Sequence, residues 1–360
     1  MKVVQLLTNL NWGDAIGNEV LAMDDALRLQ KYDARIMAFT VHDSLRNRTE
    51  DMNLSSLAAN DLVIFHKATG DMLTKSVAAL PCRKVLVYHN ITPAKYFLPY
   101  DRLMAMNLWL GRNQLRRFAA RMDMCWADSS YNANELSCCG VSAGKLKVLP
   151  ILFSETVKKI TPDPATEKEL RSVNGTKLLC IGRIAPNKKL EDAIKLYIHY
   201  RERFDDNAIL YLAGGWDGIE KYYAKLKGFC SDLGLKDNQV VFAGRVTEEE
   251  KEAYLLNSDV LLCMSEHEGF CVPLLEAMSH RLPVLAYSYA AVPETLGDSG
   301  LLFPKKDYPA MAEALNNLRK NELFRAKVVG IQLENLRRFE PETVRQQFLS
   351  LVNNVISKEA

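Results

Sequence analysis

The carboxyl-terminal half of this chain alternates short apolar runs with helical patterns, and that alternation limits the folds open to it. LLCIGRI (178–184), AILYLAG (208–214), VVFAGRV (240–246), DVLLCMS (259–265), LPVLAYS (282–288) and GLLF (300–303) each hold one strand's worth of apolar residues. Between most of them lie KLEDAIKLYIHYRERF, IEKYYAKLKGFCSDLG, TEEEKEAYLLN, PLLEAMSH and YPAMAEALNNLRKN, whose apolar residues recur at helical spacing. A strand that is apolar on both faces needs cover on both sides. Strand–helix alternation therefore predicts α/β architecture around a parallel, doubly wound sheet. Ligands of such sheets bind at the carboxyl ends of the strands.

The amino-terminal half repeats the theme less regularly, with VVQLL (3–7), ARIMAF (34–39), LVIFH (62–66), VLVYH (85–89) and MCWA (124–127) as strands. A length of 360 residues exceeds one usual domain. VLPILFSETVKK (148–159) and the following TPDPATE, with prolines at 150, 162 and 164, mark the junction. The expected domains are 1–152 and 153–339.

A net charge of +2 gives no push toward nucleic acid. No apolar run reaches the roughly 20 residues of a membrane helix, and the start reads as a buried strand rather than a signal peptide. Eight cysteines without C-x-x-C or metal spacing fit reduced thiols in the cytoplasm.

The most informative stretch for function is SEHEGFCVPLLEAMSHRLPVL (265–285). It follows a strand, turns at Gly269 and enters a helix at Pro273, where a missing N–H costs nothing. Free N–H groups and the positive end of a helix dipole make such a turn an anion site. Glu268 and Glu276 flank it with seven residues between them. Carboxylates repel a diphosphate, so these two suit neutral hydroxyls on either side of one, such as a sugar and a ribose. IGRIAPNKK, after the 178–184 run, adds Arg183 and Lys188, a guanidinium fork and a compact ammonium suited to phosphate oxygens.

Glu-x7-Glu followed by Ala-Met, together with the G-R-x4-K of IGRIAPNKK, closely resembles the donor site of retaining glycosyltransferases of family 4. The resemblance implies the GT-B architecture, two doubly wound Rossmann-like domains facing across a cleft, with the last helix (340–360) returning to the first domain. It also implies a nucleotide-sugar donor, UDP- or GDP-linked. Arg183, Lys188 and the N–H groups of Gly269, Phe270 and Cys271 would hold the diphosphate. Glu268 would hold sugar hydroxyls and Glu276 the ribose, while the loop at Val246 would meet the base. Retention without a protein nucleophile implies that the departing phosphate itself deprotonates the acceptor.

NWGDAIGNEV starts the first helix, and Gly13 and Gly17 permit close backbone approach to a ligand. It is not G-x-G-x-x-G, which weighs against a dinucleotide dehydrogenase. Many relatives of the resembled family carry Gly-Gly where Asp14-Ala15 stands, and Asp14 serves equally as a helix cap. His66 and His89 end two strands, which sets them at the cleft rim rather than in the core. YHNITP resembles the segment that brings a histidine to the reacting sugar, making His89 the catalytic candidate and His66 an acceptor-side one. With no Asp-x-Asp and no cluster at metal spacing, neither a metal nor another cofactor is expected. Arg183, Lys188 and the helix start neutralise the phosphates instead.

Between Arg83 and Arg121 eight basic residues face one acid, Asp101, and bulky apolar residues are interleaved. This pattern suits a helix packed into its domain and equally a segment on an anionic membrane, where a lipid-linked acceptor is met. The reading is a cytoplasmic, peripherally membrane-bound retaining hexosyltransferase of glycan biosynthesis, acting on a saccharide or lipid-linked saccharide. A catalytically silent binding partner and a nucleotide-sugar epimerase of the same architecture remain the alternatives.

Overall fold

The computed structural model describes residues 1–11, 13–153 and 160–357. Of the expected junction 148–159, residues 154–159 lie outside the described residues. The chain divides into two compact units, Met1–Lys95 with Leu103–Val157 and Arg338–Ala360, and Tyr96–Arg102 with Lys158–Arg337.

The first unit holds β1 (Lys2–Leu10), β2 (Asp33–Val41), β3 (Leu62–Lys67), β4 (Arg83–Tyr88), β5 (Met124–Ala127) and β6 (Leu146–Val148). Their order is β2-β1-β3-β4-β5-β6, and every pairing is parallel. All six residues of β3 and all four of β5 are buried, as apolar strands covered on both faces should be. β6 was not expected. It is a largely exposed edge strand of three residues, too short and too polar to read as an apolar run.

The second unit holds β7 (Lys177–Ile181), β8 (Ile209–Ala213), β9 (Val240–Gly244), β10 (Val260–Cys263), β11 (Val284–Tyr287) and β12 (Leu301–Phe303). Their order is β12-β11-β10-β7-β8-β9, again all parallel. Each of the six apolar runs of the carboxyl-terminal half has become a strand. Both units are doubly wound Rossmann-like folds.

The last helix, Pro341–Ser357, buries Val344, Phe348, Val352 and Val355, a single stripe at helical spacing. That stripe joins the core of the first unit, where Phe348 sets its ring edge-on to Trp126 at 5.9 Å.

Strand order also locates the ligand-binding ends. In the first sheet β1 and β3 are neighbours, yet the chain leaves them for opposite sides, and in the second β7 and β10 stand in that relation. At such a switch point the loops part and leave a crevice outside the carboxyl ends of the two strands. The loops after β1, β3, β7 and β10 carry Gly13 and Asp14, the segment after His66, Arg183 and Lys188, and Glu268.

Candidate active site

In the second unit the loop after β7 turns through Gly182, whose φ of +111° suits glycine. It then tightens into a single 3-10 turn, Pro186–Lys188, before the helix Leu190–Arg203. Asn187 ties this loop to the one after β10. Its side-chain Nδ2 donates to His267 O at 2.9 Å, and its own carbonyl accepts from Glu266 N at 2.8 Å. The register so fixed sets Lys188 Nζ 2.8 Å from Glu268 Oε1. Burial disfavours the Lys188 ammonium, but Glu268 more than offsets this and holds the group above the ordinary lysine range.

The helix Val272–Ser279 begins at Cys271, which is held at φ +77°, and no side chain caps it. A non-glycine residue there stores backbone strain of the kind that collects at functional sites. Under this start lies a small cavity of about 20 Å³, lined by Cys180, Gly182, Lys188, Cys263, Cys271 and Pro273 among others. The Cys263 and Cys271 sulfurs lie 3.9 Å apart as free thiols.

Glu276, one turn into that helix, is bound by Lys251 at 2.8 Å. Lys251 belongs to the helix Glu248–Asn257, which Thr247 starts with a capping box directly after Val246. The Val246 loop and Glu276 are therefore joined through one short helix. Arg183 stands apart from this network, exposed, with Nη2 donating to Asp217 O at 3.3 Å.

In the first unit Asp14 caps the helix Ala15–Leu29, accepting from Gly17 N. Gly13 has φ +80° and open space where a side chain would go. Gly17 serves the fold: a Cβ there would sit 2.1 Å from Asn11 O.

The histidines overturn the expectation of a rim position. His66 is 4% exposed and the His89 side chain 2%. His89 Nε2 meets His66 Nδ1 at 2.9 Å, and His66 Nε2 meets Gln5 Oε1 at 3.0 Å. On its other side His89 Nδ1 faces Asp128 Oδ2 at 3.2 Å and Glu19 Oε2 at 3.4 Å. His66, from within β3, and His89, directly after β4, both turn their side chains inward, where buried partners lie. Burial opposes charge on His89, but Asp128 and Glu19 outweigh it and raise its pKa to about 9. Burial raises the Glu19 carboxyl to about 8. Burial and the neighbouring His89 hold His66 well below its ordinary value.

Sequence spacing also concealed a possible cation-binding group. Among the described residues Glu19, His89 and Asp128 bring one ligand atom each within 4.8 Å of one another. They come from three separate elements, so no motif announces them. Asn187 and Lys251 were missed for the same reason.

The basic segment is only partly free to face a partner. Arg112 donates to Ile91 O and Glu135 Oε1, both at 2.6 Å, Arg83 donates to Ile356 O, and Lys84 to Leu80 O and Cys82 O. The helix Arg102–Phe118 buries Ala105, Leu108, Gly111 and Leu115. Its other face exposes Leu103 (77%), Met106 (63%), Trp109 (60%) and Leu110 (43%), with Arg102, Arg116 and Arg117 exposed near its ends. Beside it opens a cavity of about 370 Å³ lined by Thr8, Phe39, Gly70, Asp71, Met72, Asn107 and Leu110.

The second unit's loops fall inside residues 163–330, which match the family profile of glycosyl transferases group 1. The match spans just under half of the chain, so this region is similar to a group 1 glycosyltransferase domain. A GDP-mannose-dependent alpha-(1-6)-phosphatidylinositol monomannoside mannosyltransferase of Mycobacterium tuberculosis is 24% identical over 321 residues, 79% of this chain and 81% of that protein. An alpha-1,4-N-acetyl-D-galactosaminyltransferase of Campylobacter jejuni, acting on an undecaprenol-diphosphate-linked saccharide by its name, is 28% identical over 59% of this chain and 55% of its own. Anabaena HepE, solved with UDP-glucose, superposes with a TM-score of 0.74 over 98% of this chain and all of its own, at 19% identity. At that identity the likeness is one of fold. The glycosyltransferase domain and its amino-terminal companion share the GT-B fold with HepE and with WaaG, a glycosyltransferase of lipopolysaccharide biosynthesis (TM-score 0.70, 13% identity, 99% of this chain and all of WaaG).

Proposed function

We propose that this protein transfers a hexosyl unit, with retention of configuration, from a nucleoside diphosphate sugar to a hydroxyl of a saccharide or lipid-linked saccharide. The observation that carries the reading is the Lys188–Glu268 pair at the β7/β10 switch point of the glycosyltransferase domain. A cation for phosphate and a carboxylate for hydroxyls stand side by side, where a sugar diphosphate presents both groups.

In this reading Arg183, Lys188 and the start of the helix Val272–Ser279, with Gly269, Phe270 and Cys271, take the diphosphate. Glu268 accepts from sugar hydroxyls, Glu276 from the ribose, and the Val246 loop meets the base. In the first unit Gly13 and Asp14 are the donor-side candidates, His89 the catalytic candidate and His66 an acceptor-side one. The bond from the anomeric carbon to the phosphate oxygen breaks, and the acceptor oxygen bonds that carbon on the same face. The acceptor proton passes to the departing phosphate. The charge is met by side chains, so no metal is required.

Mannosyltransferases among the relatives support a GDP-linked donor, and the UDP-glucose complex of HepE keeps a UDP-linked one in play. A lipid-linked acceptor is supported by the apolar face of the helix Arg102–Phe118 and its flanking arginines, which suit a peripheral position on an anionic cytoplasmic leaflet. Among the described residues no helix is long and apolar enough to cross a membrane.

A thermal-shift panel of nucleoside diphosphates followed by transfer from the matching labelled sugar tests the reading. A preferred nucleotide at ~100 times its dissociation constant adds about 2.7 kcal/mol of stability. Release of label with donor alone points to an epimerase or hydrolase. No shift with any nucleotide sinks the proposal.

A further inference from the structure

The loop that carries Glu268 has a cysteine at each end. Cys263 is the last residue of β10, and Cys271 immediately precedes the helix Val272–Ser279, with Met264–Phe270 between them. The loop folds back so that the two sulfurs lie 3.9 Å apart, both as buried free thiols. A disulfide needs a sulfur separation of about 2.05 Å, so a relative shift of about 2 Å at one end of the loop completes the bond. Cys271 is the end that gives. Its φ of +77° belongs to the left-handed region, where a glycine rests without strain and a side chain does not. No side chain caps the helix that starts there.

The surroundings favour oxidation at Cys263. The cavity of about 20 Å³ under the helix start is lined by both thiols, by Cys180 and Lys188, and by the half-buried Gly182 and Pro273. That volume admits a molecule of about the size of water, and hydrogen peroxide is little larger. A hydrogen bond from the Cys271 thiol, aided by the Lys188 ammonium, holds Cys263 below its ordinary pKa against burial. Donating that bond, together with burial, holds Cys271 well above its own. Cys263 is therefore the attacking thiol and Cys271 the resolving one.

We propose that Cys263 and Cys271 form a redox-active dithiol, which hydrogen peroxide oxidises to a disulfide that closes the donor site. The Cys263 sulfur attacks one peroxide oxygen: the S–O bond forms, the O–O bond breaks, and the Cys263 proton leaves with the departing oxygen as water. The Cys271 sulfur then attacks the sulfenic Cys263 sulfur. The S–S bond forms, and the hydroxyl leaves with the Cys271 proton as a second water. The two thiols lose two electrons and the peroxide gains them. The new bond draws the Cys271 N–H, and with it the turn at Gly269 and Phe270, off the position that meets the diphosphate. This effect on the donor rests on the glycosyl-transfer reading; the dithiol itself does not.

The test starts from the full chain, fully reduced, then treated with hydrogen peroxide and mapped by mass spectrometry after alkylation. A Cys263–Cys271 crosslink that dithiothreitol reverses is expected. Recovery of both thiols in alkylated form, or oxidation of Cys263 that ends as sulfinic acid or in a bond to Cys180, overturns the dithiol. Calorimetry with UDP and GDP should show the bound nucleotide held about tenfold or more weakly after oxidation, the scale of one lost hydrogen bond to a charged group, and restored by dithiothreitol. Cys263→Ala should keep its affinity after peroxide, with circular dichroism to check folding. Cys271→Gly, which suits φ +77°, takes its place if that variant does not fold. A crosslinked protein of unchanged affinity, or a Cys263→Ala variant that loses affinity alike, removes the disulfide from donor binding. If the reduced protein binds neither nucleotide, the functional reading fails, and peptide mapping alone decides the dithiol.

Discussion

Lys188 Nζ lies 2.8 Å from Glu268 Oε1 although 80 residues separate them in the chain. Each charge thus stabilises the other, and a phosphate arriving at Lys188 must compete with Glu268. Lys188→Ala should weaken nucleoside diphosphate binding by roughly 1.5–3 kcal/mol, the scale of a hydrogen bond to a charged group. Glu268→Gln removes the competitor, so affinity for the free nucleotide should hold or rise while turnover falls. Calorimetry on the two variants decides. Wild-type affinity in Lys188→Ala would take this loop out of the mechanism.

Glu276 offers a sharper test because its proposed ligand is a ribose hydroxyl. Glu276→Gln should cost about 1 kcal/mol in binding the ribonucleoside diphosphate and little with the 2′,3′-dideoxy analogue. Lys251→Ala should give a penalty that does not add to that of Glu276→Gln, as the two side chains share one contact. An equal penalty with the dideoxy compound would show that Glu276 has another role.

Stability should fall as pH rises through neutrality. The folded-state pKa of His89 is raised from 6.5 to about 9, so the stability it contributes is complete below about 6.5 and lost as pH approaches 9. That of Glu19 is raised from 4.5 to about 8, so the folded state holds a proton which the unfolded chain gives up, with the same sign. With both groups contributing, unfolding free energy from urea melts should drop by roughly 4–5 kcal/mol between pH 6.5 and 9. Glu19→Gln should flatten the part below pH 8. A level profile in the wild type would contradict the buried cluster.

The helix Arg102–Phe118 should bind anionic vesicles reversibly. Each exposed arginine near such a surface contributes about 1 kcal/mol, screened by salt, and the exposed leucines, methionine and tryptophan add to it. The protein should co-sediment with phosphatidylglycerol vesicles at low salt and release at high salt. Arg102→Glu, Arg116→Glu and Arg117→Glu together should abolish this without unfolding. Arg112 is unsuitable for reversal, since its ion pair with Glu135 is part of the fold. Indifference of the wild type to vesicles would favour a soluble acceptor.

The sequence by itself determined the two layered α/β halves, because strands covered on both faces must be apolar throughout and their helices must carry one apolar stripe. The six runs of the second half were all legible, whereas β6 was not, since an exposed edge strand of three residues needs no apolar pattern. Sequence also picked out Arg183, Lys188 and Glu268, in the loops after strands, and Glu276, one turn into the helix that follows.

Tertiary structure alone decided what those residues touch. Asn187 and Lys251 set the geometry around Lys188 and Glu276 from neighbouring elements, and local spacing holds no record of such pairings. The two histidines show the same limit from the other side. A residue at a strand's end can turn outward or inward, and burial is favourable only where partners already lie inside. Gln5, Glu19 and Asp128 provide those partners for His66 and His89, from three elements that only the packed sheet brings together.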